Sequence, residues 1–259
     1  MFEFLSFLYG ASIGSFVQVI ATRLNVAPVL KSRSKCLSCG EALRVPDLVP
    51  VLSYLFLKGK CRYCRSAYGV SALLVEVTFG IVFVLLYLYV LQGQSNLLLS
   101  TAWLLYYTAL FITLGVIALY DKAHNYIPAL FLYLYGLLTL IMLVIRYVHD
   151  ASWGVLLDPV LTALPFLMLW LITKGKGVGF GDVLMFLGVG AFFSFSQGVV
   201  VLLLSVWIGA LFGIYMKYFG AYKGKNNVAI PFVPYIVIAF IIVLFTDIDI
   251  YSVATLFTR

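Results

Sequence analysis

The chain has 259 residues, of which 64% are hydrophobic and 10% charged, with a mean hydropathy of +1.09. Soluble domains carry about a quarter charged residues, so this composition excludes one and makes a lipid bilayer the expected solvent. The formal net charge of +7 raises the question of a nucleic-acid partner, and the placement of the basic residues decides against it.

Eight apolar runs are candidate membrane helices, at 2–22, 71–91, 97–120, 127–147, 156–173, 181–195, 198–218 and 231–246. At 1.5 Å per residue, about 20 residues cross a hydrocarbon core of roughly 30 Å; the run at 181–195 is the weakest. The first run carries Glu3, lacks a basic flank and a small-residue cleavage site, and reads as a retained helix, not a secretory signal. Residues 23–70 form the one long polar stretch and read as a small subdomain. The expected fold is therefore an all-α polytopic membrane protein of about eight transmembrane helices. Its regions are the first helix at 1–22, a cysteine-bearing zinc-type subdomain at 23–70 between helices one and two, and a helical membrane core at 71–259. No internal repeat stands out. Pro128, Pro159, Pro165, Pro231 and Pro234 are expected at helix starts or kinks, and Gly175, Gly177, Gly179 and Gly181 mark a bent entry to the sixth run.

Nine of the seventeen Lys and Arg residues lie in 23–70. Alternate crossings put Lys122, Lys174, Lys176, Lys217, Lys223 and Lys225 on the same side, with Arg146 and Arg259 opposite. This is the positive-inside pattern, which points 23–70 to the cytoplasm and both termini outward, in a multi-pass plasma-membrane protein. The basic balance thus reports topology, with attraction to anionic inner-leaflet lipid as a second effect and no nucleic-acid partner.

Cys36, Cys39, Cys61 and Cys64 form two C-x-x-C pairs and are the only cysteines in the chain. Four thiolates at such spacing close a tetrahedral shell around Zn(II), and metal closure folds a segment too small for its own core. A four-thiolate shell leaves no open position, so the role is structural. Redox dithiols or disulfides are the alternatives, disfavoured by a cytoplasmic location and by the lack of a thioredoxin-like setting.

Asp121 ends the third run and Asp182 opens the sixth, both at the expected cytoplasmic edge. Each taken alone reads equally well as a solvated helix-end carboxylate. Taken as a pair at one depth, they supply an acid and a base: two carboxylates sharing a site cannot both ionise freely, so one stays protonated. The ionised member takes a proton from water as it attacks a peptide carbonyl, and the protonated member donates to the oxygen and then to the leaving amine. Gly179 and Gly181 beside Asp182 would let a substrate backbone approach closely. His124 is a further candidate to touch substrate or tune Asp121, as are Tyr54 and Tyr120 to face a substrate groove.

These residues resemble the prepilin peptidases, membrane aspartic proteases with a G-x-G-D motif, from the first helix to the last. The family's G-S-F and following arginine match Gly14, Ser15, Phe16 and Arg23, and its S-R-S-x-C-x-x-C matches Ser32 through Cys39. Its P-x-x-S-Y-x-x-x-x-G-x-C-R-x-C matches Pro50 through Cys64, and its helix-opening stretch with a glutamate resembles Ser71 to Glu76. D-x-x-x-x-x-I-P matches Asp121 to Pro128, G-x-G-D matches Gly179 to Asp182, and a late proline pair resembles Pro231 and Pro234. The sequence departs in having Leu184 where the family often has lysine, and Ala129 where it often has a polar residue. The resemblance implies an endopeptidase that removes the basic leader of type IV prepilins or pseudopilins at the cytoplasmic face and then methylates the new N-terminus with S-adenosylmethionine. It implies Asp121 and Asp182 as the dyad and zinc on the four cysteines. For methyl transfer, Glu76, Gly14 and Ser15 are the candidates, although Glu76 reads equally as a helix-interior acid satisfied by Arg or Tyr. A proton-coupled or ion-linked transporter is the rival class, since intramembrane acids and kinked helices are also its signature; it predicts internal repeats and leaves the cysteines without a role.

Overall fold

The computed structural model describes residues 1–26, 33–36, 38–93, 96–220 and 230–257. Lys31, Ser32, Lys223, Lys225 and Arg259 of the sequence reading lie outside them. Among the described residues, helices are the only regular elements besides two isolated β-bridges. The helices are α1 (Phe2–Arg23), α2 (Leu52–Leu57), α3 (Ser71–Gly93), α4 (Leu97–His124), α5 (Ala129–Asp150), α6 (Asp158–Thr173), α7 (Phe180–Phe192), α8 (Phe195–Tyr218), α9 (Val233–Thr246) and α10 (Ile250–Phe257).

All eight apolar runs are helical, and six helical segments are long and apolar enough to cross a membrane, one of them running from Trp153 through a 3-10 turn into α6. The other two are short. α7 has 13 residues and α9 has 14, about 20 Å each at 1.5 Å per residue. The expected run at 181–195 ends early because Ser194 starts a new helix: its Oγ accepts the Gln197 N–H and its own N–H reaches Gln197 Oε1, a capping box that opens α8. Pro128 caps α5, Pro159 and Pro234 sit in the first turns of α6 and α9, and Pro165 lies inside α6. The six-residue α2 and the terminal α10 have no counterpart among the expected runs.

The chain forms two compact units, residues 1–116 and 117–259. In the first, α1 packs along α3 through a G-x-x-x-G face. A Cβ on Gly10 would lie 2.5 Å from the Phe79 carbonyl oxygen, and one on Gly14 would lie 2.9 Å from Phe79 Cβ and 3.1 Å from the Val75 carbonyl oxygen. Only glycine permits backbones this close, and in lipid such packing is what holds helices together. Gln18 Nε2 adds a bond to the Ala72 carbonyl at 3.2 Å.

The segment between α1 and α3 contains a duplication of period 25 that the sequence reading did not register. Lys35 pairs with Ala42 and Lys60 with Ala67 in antiparallel bridges. Cys36 N–H donates to Glu41 O and Cys61 N–H to Ser66 O, each at 2.9 Å. The fourth residue after each leading cysteine is left-handed, Gly40 at φ +73° and Arg65 at φ +60°. The repeat K-C-x-x-C-x-x-A spans only eight residues per copy, too short to show as a repeated fold.

In the second unit α7 is the buried element. Met185, Phe186 and Val189 are fully enclosed. Gly188 lets the Tyr135 ring of α5 lie against it, and the Tyr135 hydroxyl donates to Met185 O at 3.1 Å. Gly190 admits the backbone of α6: an added Cβ would meet the Asp158 carbonyl oxygen at 2.5 Å and Pro159 Cα at 2.7 Å.

Candidate active site

Asp121 lies in the last turn of α4 and is 6% exposed. Its Oδ2 accepts the backbone N–H of Val233, the first residue of α9, at 3.1 Å. The carboxylate therefore caps a helix N-terminus with unsatisfied donors and positive dipole end. The proline-flanked start of α9 brings those donors to Asp121, a contact across 112 residues that the sequence reading did not anticipate.

Asp182 occupies the third position of α7, and its Oδ2 accepts the Gly179 N–H at 3.2 Å. Gly179 has no side chain to return a bond, so only half of a capping box exists, and the carboxylate keeps capacity for another partner. The segment that follows α4 meets the first turn of α7. A Cβ on Gly181 would lie 2.8 Å from the terminal methyl of Ile127, the residue before the buried Pro128. Gly179 has more room, its nearest neighbour being Asp182 Oδ2 at 3.3 Å. His124 stacks on Tyr120, ring centroids 4.2 Å apart, and its Nδ1 lies 3.2 Å from the Tyr120 carbonyl oxygen, contacts that hold it to its own helix.

The far end of α7 is held by Arg146 of α5. Its Nη1 donates to the carbonyls of Phe193 at 2.6 Å, Gly190 at 3.2 Å and Ala191 at 3.3 Å, and its Nη2 donates to Asp158 Oδ2 at 2.6 Å. A helix too short to reach water at both ends must find protein donors for its last carbonyls, and Arg146 supplies them. Sequence reasoning counted Arg146 only as an outward-facing charge. An arginine inside an apolar run, with one acid twelve residues on, was the signal of a buried pair.

In the first unit the sulfurs of Cys36, Cys39, Cys61 and Cys64 all lie within 4.8 Å of one another, with Cys36 and Cys64 3.8 Å apart. A tetrahedron of Zn–S bonds of about 2.3 Å has S–S edges of about 3.8 Å, so the arrangement fits zinc. The electrostatics agree. The N–H groups of Cys39 and Ser38, with the Ser66 hydroxyl, bring the Cys36 thiol down to about 6, and Ser66 lowers Cys64 as well. At Cys39 the Glu41 N–H favours the thiolate, but desolvation and the neighbouring Cys36 and Cys64 outweigh it and push the thiol up to about 11. One thiolate forms readily and the last resists, a conflict that a divalent cation resolves.

Asp47, its side chain 2% exposed, ties the second hairpin to the segment that follows the first by accepting from Arg62 Nε at 2.5 Å, Arg44 N–H at 3.1 Å and Tyr63 OH at 3.4 Å. Burial alone would raise its pKa, but Arg62 and the other donors hold it below the usual carboxylate value. Glu76 of α3 accepts the Val51 N–H at 2.7 Å; its partner is thus a backbone amide, where the sequence reading offered Arg or Tyr. Ser15 and Glu76 both line one cavity beside the thiolates, whereas Gly14 is spent on the α1–α3 contact.

Residues 8–90 match the Bacterial Peptidase A24 N-terminal domain and residues 108–214 match the Type IV leader peptidase family. Curated relatives carry the name prepilin leader peptidase/N-methyltransferase. The protein of Pseudomonas putida is 29% identical over 281 residues, covering 96% of this chain and 92% of its own length. That of Aeromonas salmonicida strain A449 is 28% identical, covering 91% and 87%, and that of Pseudomonas aeruginosa PAO1 is 28% identical, covering 92% and 88%. No solved structure matches. With both family regions matched in order and relatives aligned over nearly the whole length, the chain belongs to the Type IV leader peptidase family.

Proposed function

We propose that this protein cleaves the leader from type IV prepilins or pseudopilins, with Asp121 and Asp182 as the acid–base pair, and then methylates the new N-terminus using S-adenosylmethionine. The observation that carries the peptidase reading is that each acid is anchored to a backbone N–H where the Ile127–Pro128 segment after α4 meets Gly181 at the start of α7, inside a chain of this family. Two carboxylates held this way divide the labour described above: one takes the proton of the attacking water, the other protonates the carbonyl oxygen and then the leaving amine. In this reading Ile127, Pro128, Gly179 and Gly181 shape the meeting of the segment after α4 with the start of α7, where the two acids would act together. No feature of the fold or of the relatives favours a transporter.

Cys36, Cys39, Cys61 and Cys64 would hold one zinc ion, which would supply folding free energy to the 33–70 region and take no part in the reaction. The basic subdomain and both acids face the cytoplasm in this reading, in the inner membrane, where the substrate's apolar helix stays in lipid and its leader meets the dyad. The partners are the prepilin and membrane lipid, with no nucleic acid.

The test is cleavage of a prepilin by purified protein in detergent, comparing the parent with Asp121→Asn and Asp182→Asn. Both variants are expected to lose cleavage while keeping their helix content. Retained cleavage in either would remove that residue from the dyad.

A further inference from the structure

Residues 45–57, between the two cysteine hairpins, present an apolar surface with no free charge. Val45, Leu48, Val49, Leu52, Leu55 and Phe56 are all exposed, Val45 at 80% and Phe56 at 82%. Asp47 is the only charged residue of the segment, and its carboxylate is buried against Arg62. Cations border the segment on both sides. Arg44 precedes it and Lys58 and Lys60 follow it, all exposed, and neither lysine makes an ion pair among the described residues.

α2 within this segment is apolar on two opposite sides. Ser53, Tyr54 and Leu57 line the cavity beside the thiolates, and the Tyr54 ring meets Tyr68 edge to face, centroids 5.5 Å apart. Leu52, Leu55 and Phe56, spaced i, i+3 and i+4, share the uncovered face. A helix that is apolar all round belongs in a core or in lipid.

Its depth is set by α3. Glu76, the sixth residue of α3, accepts the Val51 N–H at the head of α2 at 2.7 Å. At 1.5 Å per residue Glu76 lies about 7.5 Å along a membrane-length helix from its first residue, Ser71. Ser15, well before the end of α1 at Arg23, lines the same cavity as Ser53 and Tyr54. The head of α2 is thus level with residues inside two membrane-length helices. The backbone there meets its own needs. The N–H groups of Leu52, Ser53 and Leu55 donate to the carbonyls of Pro50, Val49 and Val51, and Val51, left-handed at φ 62°, has Glu76. Irregular backbone at membrane depth is tolerated only where protein groups satisfy it.

We infer that residues 45–57 form an interfacial anchor in the leaflet that the cysteine subdomain faces, with Leu52, Leu55 and Phe56 among acyl chains and Lys58 and Lys60 on acidic lipid phosphates. The adjoining spans bring a lipid surface to this face, and an apolar centre bordered by cations is what an interfacial element offers an acidic bilayer. The anchor ties the thiolate cluster to the membrane at a third point besides the ends of α1 and α3. The inference rests on α1 and α3 as membrane spans and is independent of the peptidase and methylation readings.

The test uses full-length, zinc-loaded protein in vesicles of phosphatidylethanolamine and phosphatidylglycerol. Phe56 is replaced with photoreactive p-benzoylphenylalanine, the sample is irradiated with and without prepilin, and the adducts are identified by mass spectrometry. Acyl-chain adducts are expected as the main product in both samples. A main product on prepilin or on a second copy of the chain overturns the inference, as does a probe left unreacted in water. In parallel, hydrogen exchange is followed at the amides of residues 52–57. Lys58→Gln and Lys60→Gln are each expected to speed exchange about fivefold in the acidic vesicles, the scale of one lysine near an anionic surface, and to leave it unchanged in phosphatidylcholine vesicles. Leu55→Ser/Phe56→Ser is expected to speed exchange in both kinds of vesicle, with zinc content and helix content kept. Exchange equal to the parent in all three variants overturns the anchor.

Discussion

Replacing Arg146 with methionine tests whether the short helix carrying Asp182 depends on a buried cation at its far end. The substitution keeps much of the side-chain volume and removes every donor. Four bonds are lost, to Phe193, Gly190, Ala191 and Asp158, but they do not add as four independent terms. Three share Nη1, and the 2.6 Å bond to Phe193 O is the short one. The larger cost is that Asp158, 14% exposed, is left without its countercharge. Removing one member of a buried ion pair costs about 3–5 kcal/mol, which sets the expected destabilisation of Arg146→Met. Arg146→Met/Asp158→Leu is expected to cost clearly less than the sum of its single changes, because no charge is then stranded. The assay is reversible unfolding in mixed micelles, read by fluorescence, with prepilin cleavage measured on the folded fraction. A single-variant loss within about 0.5 kcal/mol, the range of ordinary surface changes, would refute the clamp, as would strict additivity in the double variant.

Other outcomes follow from the same geometry. Gly190→Ala places a Cβ against the backbone of Asp158 and Pro159, which cannot rotate away; it is expected to cost about 1–3 kcal/mol and to lower cleavage, measurable by melting temperature and turnover. Asp182→Asn and Asp121→Asn are each expected to reduce cleavage by about 10²–10⁴-fold, the contribution of general acid–base catalysis, in single-turnover assays. Cys61→Ser is expected to reduce metal content from about one zinc per chain to near none by mass spectrometry, and to increase proteolysis within 33–70; full retention of zinc would remove Cys61 from the metal shell. Asp47→Asn, which strips the charge from the contact with Arg62, is expected to speed zinc loss to a chelator, while Asp47→Glu restores part of it.

Much of the architecture was legible because membrane helices announce themselves: apolar runs long enough to span, separated by charged loops, need no knowledge of neighbours. The thiolate pairs were equally legible, since ligand spacing within each hairpin is local. The limits were physical too. The run at 181–195 shortened to Phe180–Phe192 because a capping box at Ser194 is a local hydrogen-bond choice that hydropathy does not register. The period-25 duplication of the two cysteine hairpins escaped notice because its shared residues span only eight positions per copy, and the matching backbone hydrogen bonds and left-handed residues at Gly40 and Arg65 exist only in the folded chain.

The sequence by itself determined that this is a helical membrane protein with a four-thiolate subdomain and two acids set in recognisable motifs, because those properties depend on solvent, spacing and residue chemistry along the chain. Tertiary structure decided which partners those groups have. It placed the α9 N-terminus over Asp121, turned Arg146 from an outward-facing charge into the donor for the buried end of α7, and gave Gly14 to helix packing while putting Ser15 and Glu76 on one cavity wall. Each is a contact between residues far apart in sequence, fixed by how helices pack once their apolar surfaces have brought them together.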